Sequence, residues 1–416
     1  MNIKDWLLKK YLDAKSFSNL VCLKKKMRDK KGDKIRVVFI CQYIPAWNKA
    51  VSIYNEMKNN SRFEVSLLCV PGIAGDKKFE NSDNDTYDYY INNNYEAVNS
   101  LNEDGTYKEL KSINPDYVFY LRPYDEHLPE VYRASTVCKY AKVCIVLYGM
   151  VFSKEDMIVA VNRNFFRNVY MYFAETKAVE EKNKKSFRLT HWLGLQKTVY
   201  HGMPALKMIA DAADEKSESW SFSDNKFRVM WTPRWTTDPK LGGSNFFTYK
   251  DWFFDYADKN RDADFLFRPH PLAFDNFIKT GEMTEEEVAE YKKRCEQTPN
   301  VSLDKQKEYV GTMWESSVLV SDISGVMPEY FVTGKPIIYC ASNMELHIVE
   351  HTKMLLSGCY IVNNAAELEV RLDKLKRGED ELFDKRQHII QELFGKSLDN
   401  PASMIVQEIV KDWSNK

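Results

Sequence analysis

Three short runs hold the residues best suited to phosphate chemistry. In Arg268-Pro269-His270-Pro271, two prolines keep the backbone extended around a guanidinium and an imidazole. A cation beside a titratable ring suits an anionic ligand and a proton transfer; the plain alternative is a surface loop. In Ser321-Asp322-Ile323-Ser324-Gly325, small residues would let phosphate oxygens approach the backbone, the hydroxyls can donate, and a helix start would favour negative charge. Ser321, Asp322 and Ser324 are equally ordinary helix caps. Glu329, on the helix that follows, would accept hydrogen bonds from a ribose, or simply face solvent. The third run, Trp231-Thr232-Pro233-Arg234-Trp235, offers Thr232 and Arg234 as a phosphate clamp under a closing Gly242-Gly243-Ser244 loop, with the tryptophans as possible core.

Each run follows a β-branched or aromatic segment, so the elements that must position them are strands. Six are read in the first half: 35–41, 63–70, 116–121, 142–148, 169–173 and 197–200. Six more follow: 227–231, 264–267, 301–303, 318–321, 336–339 and 359–362. Helical patterns such as 49–58 and 284–295 alternate with them, and a polar segment, 211–225, separates the two series. Alternation of this kind predicts an α/β protein with two doubly wound domains, ligands lying beyond the carboxyl ends of strands. The expected organisation is a basic helical segment at 1–34, domains at 35–210 and 225–400, and a C-terminal helix at 401–416. The Asn/Asp/Tyr-rich stretch 81–94 reads as a surface loop.

Composition removes other classes. The 416 residues include only 16 Gly and 14 Pro, no two glycines stand two apart, and neither Gly334-Lys335 nor Gly395-Lys396 has the upstream glycine of a phosphate-binding loop; dinucleotide-fingerprint and P-loop chemistry drop out. His347-Ile348-Val349-Glu350-His351 matches an inverted zinc-peptidase pattern, but it follows a buried strand with little chain left for a third ligand, so no metal is expected. The eight cysteines form no C-x-x-C pair and read as buried thiols of a cytoplasmic protein. No signal-peptide core stands at the N-terminus, and the longest apolar stretch, 143–152, is about half a membrane span.

The net charge of −1 conceals an asymmetry: residues 1–34 carry eleven Lys/Arg and four Asp, a formal +7, leaving −8 for the rest. Trp6, Leu7, Leu8, Tyr11, Leu12, Phe17, Leu20 and Val21 recur there at roughly helical spacing, so the segment can lie on an anionic membrane surface or pack on the body. The acidic body has no basic patch with interleaved aromatics, and no nucleic-acid partner is expected.

Together, Tyr170-Met171-Tyr172-Phe173, Gly202-Met203-Pro204, Thr232-Pro233-Arg234-Trp235, Arg268-Pro269-His270-Pro271, Ser321 to Gly325 with Glu329, and Gly334-Lys335-Pro336-Ile337-Ile338-Tyr339 resemble the CDP-glycerol glycerophosphotransferase family, the enzymes that build teichoic acids and related polyol-phosphate polymers. The resemblance implies a GT-B fold, two Rossmann-like domains facing a cleft with the nucleotide held by the C-terminal one. It implies CDP-glycerol or CDP-ribitol as donor, a lipid-linked or saccharide acceptor, no required cofactor, and a cytoplasmic protein at the inner membrane face. Arg268 and His270 would sit at the transferred phosphate, Ser324 and Gly325 at the diphosphate, and Glu329 near the ribose.

The sequence departs from the family in its first half. A Trp-His-Gly motif, whose His is the favoured base for the acceptor hydroxyl, should fall near Tyr148-Gly149-Met150, where no His stands. Either Tyr148 or another group does that work, with His201 as a backup base, or the acceptor chemistry differs; Gln42, Trp47, Arg122, Tyr124 and Asp125, at or beyond strand ends, are candidates for acceptor binding, with plain surface loop as the alternative for each. A nucleotide-sugar glycosyltransferase of the same fold and a non-catalytic partner in a polymer assembly complex are the competing expectations.

Overall fold

The computed structural model describes residues 3–30, 32–74, 77–78, 84–147, 149–222, 227–306 and 308–415. The chain forms two compact units, one of residues 1–151, 156–207 and 396–416, the other of 152–155 and 208–395. All twelve expected strands form, most within a residue or two of the expected bounds.

The first unit holds β1 (Ile35–Cys41), β2 (Phe63–Cys69), a two-residue hairpin of β3 (Ile73–Ala74) and β4 (Lys77–Lys78), then β5 (Ala97–Asn99), β6 (Tyr117–Tyr120), β7 (Lys142–Val146), β8 (Met171–Phe173) and β9 (Lys197–Val199). Its sheet runs β5-β2-β1-β6-β7-β8-β9, parallel throughout. Continuous apolar runs such as Val37-Val38-Phe39-Ile40 suit strands covered on both faces. The three-residue edge strand β5 escaped the sequence reading. Residues 85–92, expected as loop, are a helix, Asp85–Asn92, capped by Asn84 accepting from the Tyr87 amide. Tyr90 of that helix is buried edge-on to Trp47, so its aromatics serve the core rather than a surface.

The helix Pro401–Ser414, which the sequence set apart as a separate segment, completes this first core through Ala402, Ile405, Val406 and Ile409. Its Asp412 accepts from Lys142 Nζ at 2.6 Å, Tyr117 Oη at 2.7 Å and Tyr170 Oη at 2.8 Å. Gly202 has a φ of 96°, and a Cβ there would lie 2.6 Å from the Ser397 backbone, while the Met203 amide donates to Ser397 Oγ. Both Tyr170 and the Gly202-Met203-Pro204 run therefore hold the returning chain in place.

The second unit holds β10 (Phe227–Thr232), β11 (Ala263–Phe267), β12 (Val301–Leu303), β13 (Val318–Ser321), β14 (Ile337–Cys340) and β15 (Tyr360–Val362), in the parallel order β12-β11-β10-β13-β14-β15. Its core is strongly aromatic: the Trp231 ring centroid lies 4.8 Å from that of Phe253 and 5.0 Å from that of Phe267. Burying rings of this size contributes about 2–3 kcal/mol each. Seven cysteines are buried, all eight are free thiols, and Cys22 is exposed, contrary to the expectation for that one. No described helix is long and apolar enough to cross a membrane.

Candidate active site

In the second unit the chain leaves β10 to β11 on one side and returns to β13 on the other. The loops beyond Thr232 and Ser321 thus border the crevice where open parallel sheets bind ligands. Thr232 pairs with Ser321 in register, and its Oγ1 donates to Ser321 Oγ at 2.9 Å. Ser321 Oγ in turn donates to a carbonyl and meets Ser324 Oγ at 3.1 Å. Thr232 and Ser321 are buried and mutually occupied, which makes them positioning groups; Ser324 is half-buried and Gly325 exposed.

Asp322 is likewise a brace. Its buried carboxylate accepts from the Arg234 amide (2.8 Å), from the Asn245 side chain (2.8 Å) and amide (3.2 Å), and from Ser244 Oγ (3.4 Å). Burial raises its pKa, and those hydrogen bonds pull the other way. One carboxylate so ties β10, β13 and the Gly242 loop together. The Arg234 side chain is fixed over the Ser321–Gly325 turn by Nη1 donating to Ile323 O at 2.6 Å. Gly242, with φ 106°, packs on it so closely that a Cβ would lie 2.6 Å from Arg234 Nε.

A Cβ at Gly325 would meet nothing within 4 Å, so space above this turn is open. The helix after it, Val326–Phe331, has only six residues and no side-chain cap, so less of the phosphate attraction can be assigned to its dipole than the sequence suggested.

On the other side of β10, Arg268 follows β11. Its Nη1 donates to the buried Asp304 carboxylate and, at 3.0 Å, to Gln306 O, and its guanidinium lies 4.7 Å from the Tyr309 ring centroid. Tyr309 Oη donates to Glu329 at 2.5 Å, and burial, then the Glu329 charge, drive the tyrosine pKa well up. Tyr309 therefore joins two motifs that the sequence treated as separate. Sequence reading missed both Asp304 and Tyr309; the only signal was their position after the three-residue strand β12.

His270 accepts from the Leu272 amide through Nδ1 at 3.1 Å, which assigns the neutral ring's proton to Nε2. Surrounding protein, then the Arg234 charge, push its pKa down to about 4, although the ring keeps an exposed edge. Near pH 7 the ring of the ligand-free protein is therefore neutral, with its Nε2–H free to donate.

The first-unit candidates separate. Tyr148 lies outside the described residues. His201 follows the outermost strand β9 with Nε2 3.5 Å from Glu408; burial lowers its pKa, and Glu408 opposes the shift. Trp47 is buried inside an aromatic cluster with Phe39, Tyr54, Tyr90 and Tyr95, which removes it from ligand binding. Asp125 accepts from the Ala134 amide at 2.7 Å and caps the chain there, its pKa raised by burial to about 6. Gln42 donates to His127 O at 2.6 Å. Gln42, Arg122 and Tyr124 do share a recess beyond β1 and β6.

His347 and His351 do not share a helix face, because the helix begins at Glu350; His347 instead meets Glu155 at 2.8 Å. Among the described residues no three His, Cys, Asp or Glu side chains are placed to hold a metal ion.

Two parallel sheets, the second with an open turn at its switch point, define a GT-B class protein. Solved structures agree. UDP-GlcNAc 2-epimerase from Neisseria meningitidis bound to UDP-GlcNAc is 13% identical over 91% of this chain and 100% of that one, with TM-score 0.59. The S. aureus MnaA–UDP co-structure is 14% identical over 92% and 97%, with TM-score 0.57. The wall teichoic acid polymerase TagF is 15% identical over 98% of both chains, with TM-score 0.56. At these identities they show the fold. Residues 147–411 match the family CDP-Glycerol:Poly(glycerophosphate) glycerophosphotransferase, and the chain belongs to it. No curated protein matches the sequence.

Proposed function

We propose that the protein transfers glycerol phosphate, or ribitol phosphate, from a CDP-linked donor to a hydroxyl of a saccharide or polyol-phosphate acceptor in teichoic acid synthesis, releasing CMP. The acceptor oxygen attacks the phosphorus that carries the polyol, the bond from that phosphorus to the CMP oxygen breaks, and the hydroxyl proton leaves to a base. The observation that carries the reading is Arg234, held over the open turn Ser321–Gly325 and acting electrostatically on His270, within the matched part of the chain.

The two guanidiniums would offset charge gathering on the diphosphate, and the His270 Nε2–H would donate to a phosphoryl oxygen. Glu329, oriented by Tyr309, is the ribose candidate. Family membership disfavours both glycosyl transfer and a non-catalytic role. Purified protein should release CMP from CDP-glycerol or CDP-ribitol with an acceptor, and be stabilised by CMP or CDP. His270→Ala should lower turnover at least about tenfold, the scale of a lost charge-directed hydrogen bond. Full turnover in that variant would sink the assignment.

The first helix, Ile3–Asp29, supports a peripheral site at the inner face of the membrane. Leu20, Leu23 and Met27 pack inward, whereas Ile3, Trp6, Leu7, Leu8 and Tyr11 are exposed among lysines. Because its later turns belong to the core, deletion of the whole segment would confound folding with binding. Trp6→Ser with Leu7→Ser and Tyr11→Ser should weaken sedimentation with phosphatidylglycerol vesicles and leave CDP binding intact; unchanged sedimentation would overturn the membrane reading.

A further inference from the structure

In the first unit the sheet also reverses its winding, between β1 and β6, and the residues following those strands bound the recess noted above. Arg122 lines it. Its guanidinium carbon lies 4.6 Å from the Tyr43 ring centroid and 5.0 Å from that of Tyr124. Among the described residues no carboxylate pairs with it, and its Nε is buried without a hydrogen-bond partner. Beside Tyr124, with ring centroids 5.4 Å apart, His127 has a buried Nδ1 that also lacks a partner.

A guanidinium stays charged at any physiological pH, and leaving its donors half-buried and unmatched is unfavourable. Arg268, Arg386 and Arg163, by contrast, each have a carboxylate partner, in Asp304, Asp380 and Asp13. The two rings hold the guanidinium from its sides, which stiffens a planar fork matched to two oxygens of one oxyanion. Gln42, whose amide nitrogen is committed to His127 O, braces the loop instead of binding.

We infer that this recess is an oxyanion subsite that takes a phosphate or phosphodiester group of the acceptor, with Arg122 as its anchor and Tyr43 and Tyr124 flanking the attached polyol. The oxyanion chemistry stands on the geometry; its assignment to the acceptor rests on the phosphotransferase reading.

The test uses the full chain with saturating CDP present, so that the donor site is filled. Titrations of inorganic phosphate, a glycerol phosphodiester dimer and neutral glycerol are followed by calorimetry for wild type, Arg122→Gln and Arg122→Lys. The dimer should bind wild type, and Arg122→Gln should weaken it about tenfold or more, the loss expected for a charge-assisted pair of hydrogen bonds. Arg122→Lys should fall between, keeping the charge and losing the fork. Inorganic phosphate binding as well as the dimer would assign the subsite to phosphate alone; dimer binding only would add the polyol to what it recognises. In turnover, Arg122→Gln should raise KM for a phosphodiester acceptor while KM for CDP-glycerol holds.

Dimer affinity unchanged in a folded Arg122→Gln, or an equal rise in KM for a neutral acceptor, would overturn the proposal. Wild type that binds the dimer through Arg122 yet releases no CMP would keep the subsite and overturn the function.

Discussion

The two sheets present matching carboxyl edges that handle charge in opposite ways. In the second unit each arginine at the edge is tied down: Arg268 to Asp304 and Gln306, Arg234 to Ile323 O by its side chain and to Asp322 by its amide. In the first, Arg122 has aromatic neighbours and no carboxylate among the described residues. A tied guanidinium keeps its place when the ligand is absent, at the expense of part of its charge. An untied one keeps its full charge for a ligand but gains little from the protein. The difference teaches that the second unit's edge is preorganised, as the proposed donor site, which must stabilise a transition state, would have to be.

The sharpest break is Arg268→Ala. It should reduce CMP release about a hundredfold or more, as for other lost oxyanion stabilisers, and, by stranding the buried Asp304, lower stability by about 3 kcal/mol in denaturant titration. Arg122→Ala has no ion pair to break, so its stability should stay within about 1 kcal/mol of wild type. Equal losses in the two variants would erase the distinction.

Asp322→Ala removes the acceptor of the Arg234 turn and the Asn245 loop. Stability should fall by roughly 2–3 kcal/mol, and CDP affinity with it, by calorimetry. An unaffected CDP affinity would show that the turn holds its shape without the carboxylate.

Glu175 tests the first unit by pH. It is buried, Tyr172 Oη donates to it at 2.9 Å, its Oε1 lacks a partner, and burial raises its pKa to about 7. A raised carboxyl pKa means that the folded state binds the extra proton between the unfolded value, about 4.3, and about 7, so stability falls as pH rises through that window. Glu175→Gln should therefore gain up to roughly 3 kcal/mol relative to wild type at pH 8 and little at pH 4. A gain independent of pH would contradict the assignment.

The smallest effect is read by NMR. His270 should titrate near pH 4 in the ligand-free protein, and Arg234→Gln should move it upward by removing a nearby cation. Because the folded value lies below the unfolded one, this ring makes the protein less stable as pH falls from about 6.5 through 4. An unmoved His270 would place Arg234 farther from the ring than the structure does.

Much of this was legible in the chain itself. Short β-branched runs in regular alternation determined both sheets, because a strand buried on two faces must be apolar throughout and its ends must be marked by polar or breaking residues. Arg268, His270 and Arg234 were legible because each lies within three residues of the end of such a run. The charge split was legible too, as was the family resemblance of the second half. Three-residue β5 and the helix Asp85–Asn92 were not, the helix being polar in composition with its tyrosines turned inward.

Which of the candidates the fold already occupies, only tertiary structure decided. Asp322, Ser321 and Trp47 read as site residues in sequence and prove to be braces or core, because their partners come from strands and loops far away in the chain. Tyr309 and Asp304 were invisible until folding set them against Arg268 and Glu329. Residue type fixes what a group is able to do. Its unused hydrogen-bonding capacity, which depends on every neighbour at once, decides what is left for a substrate.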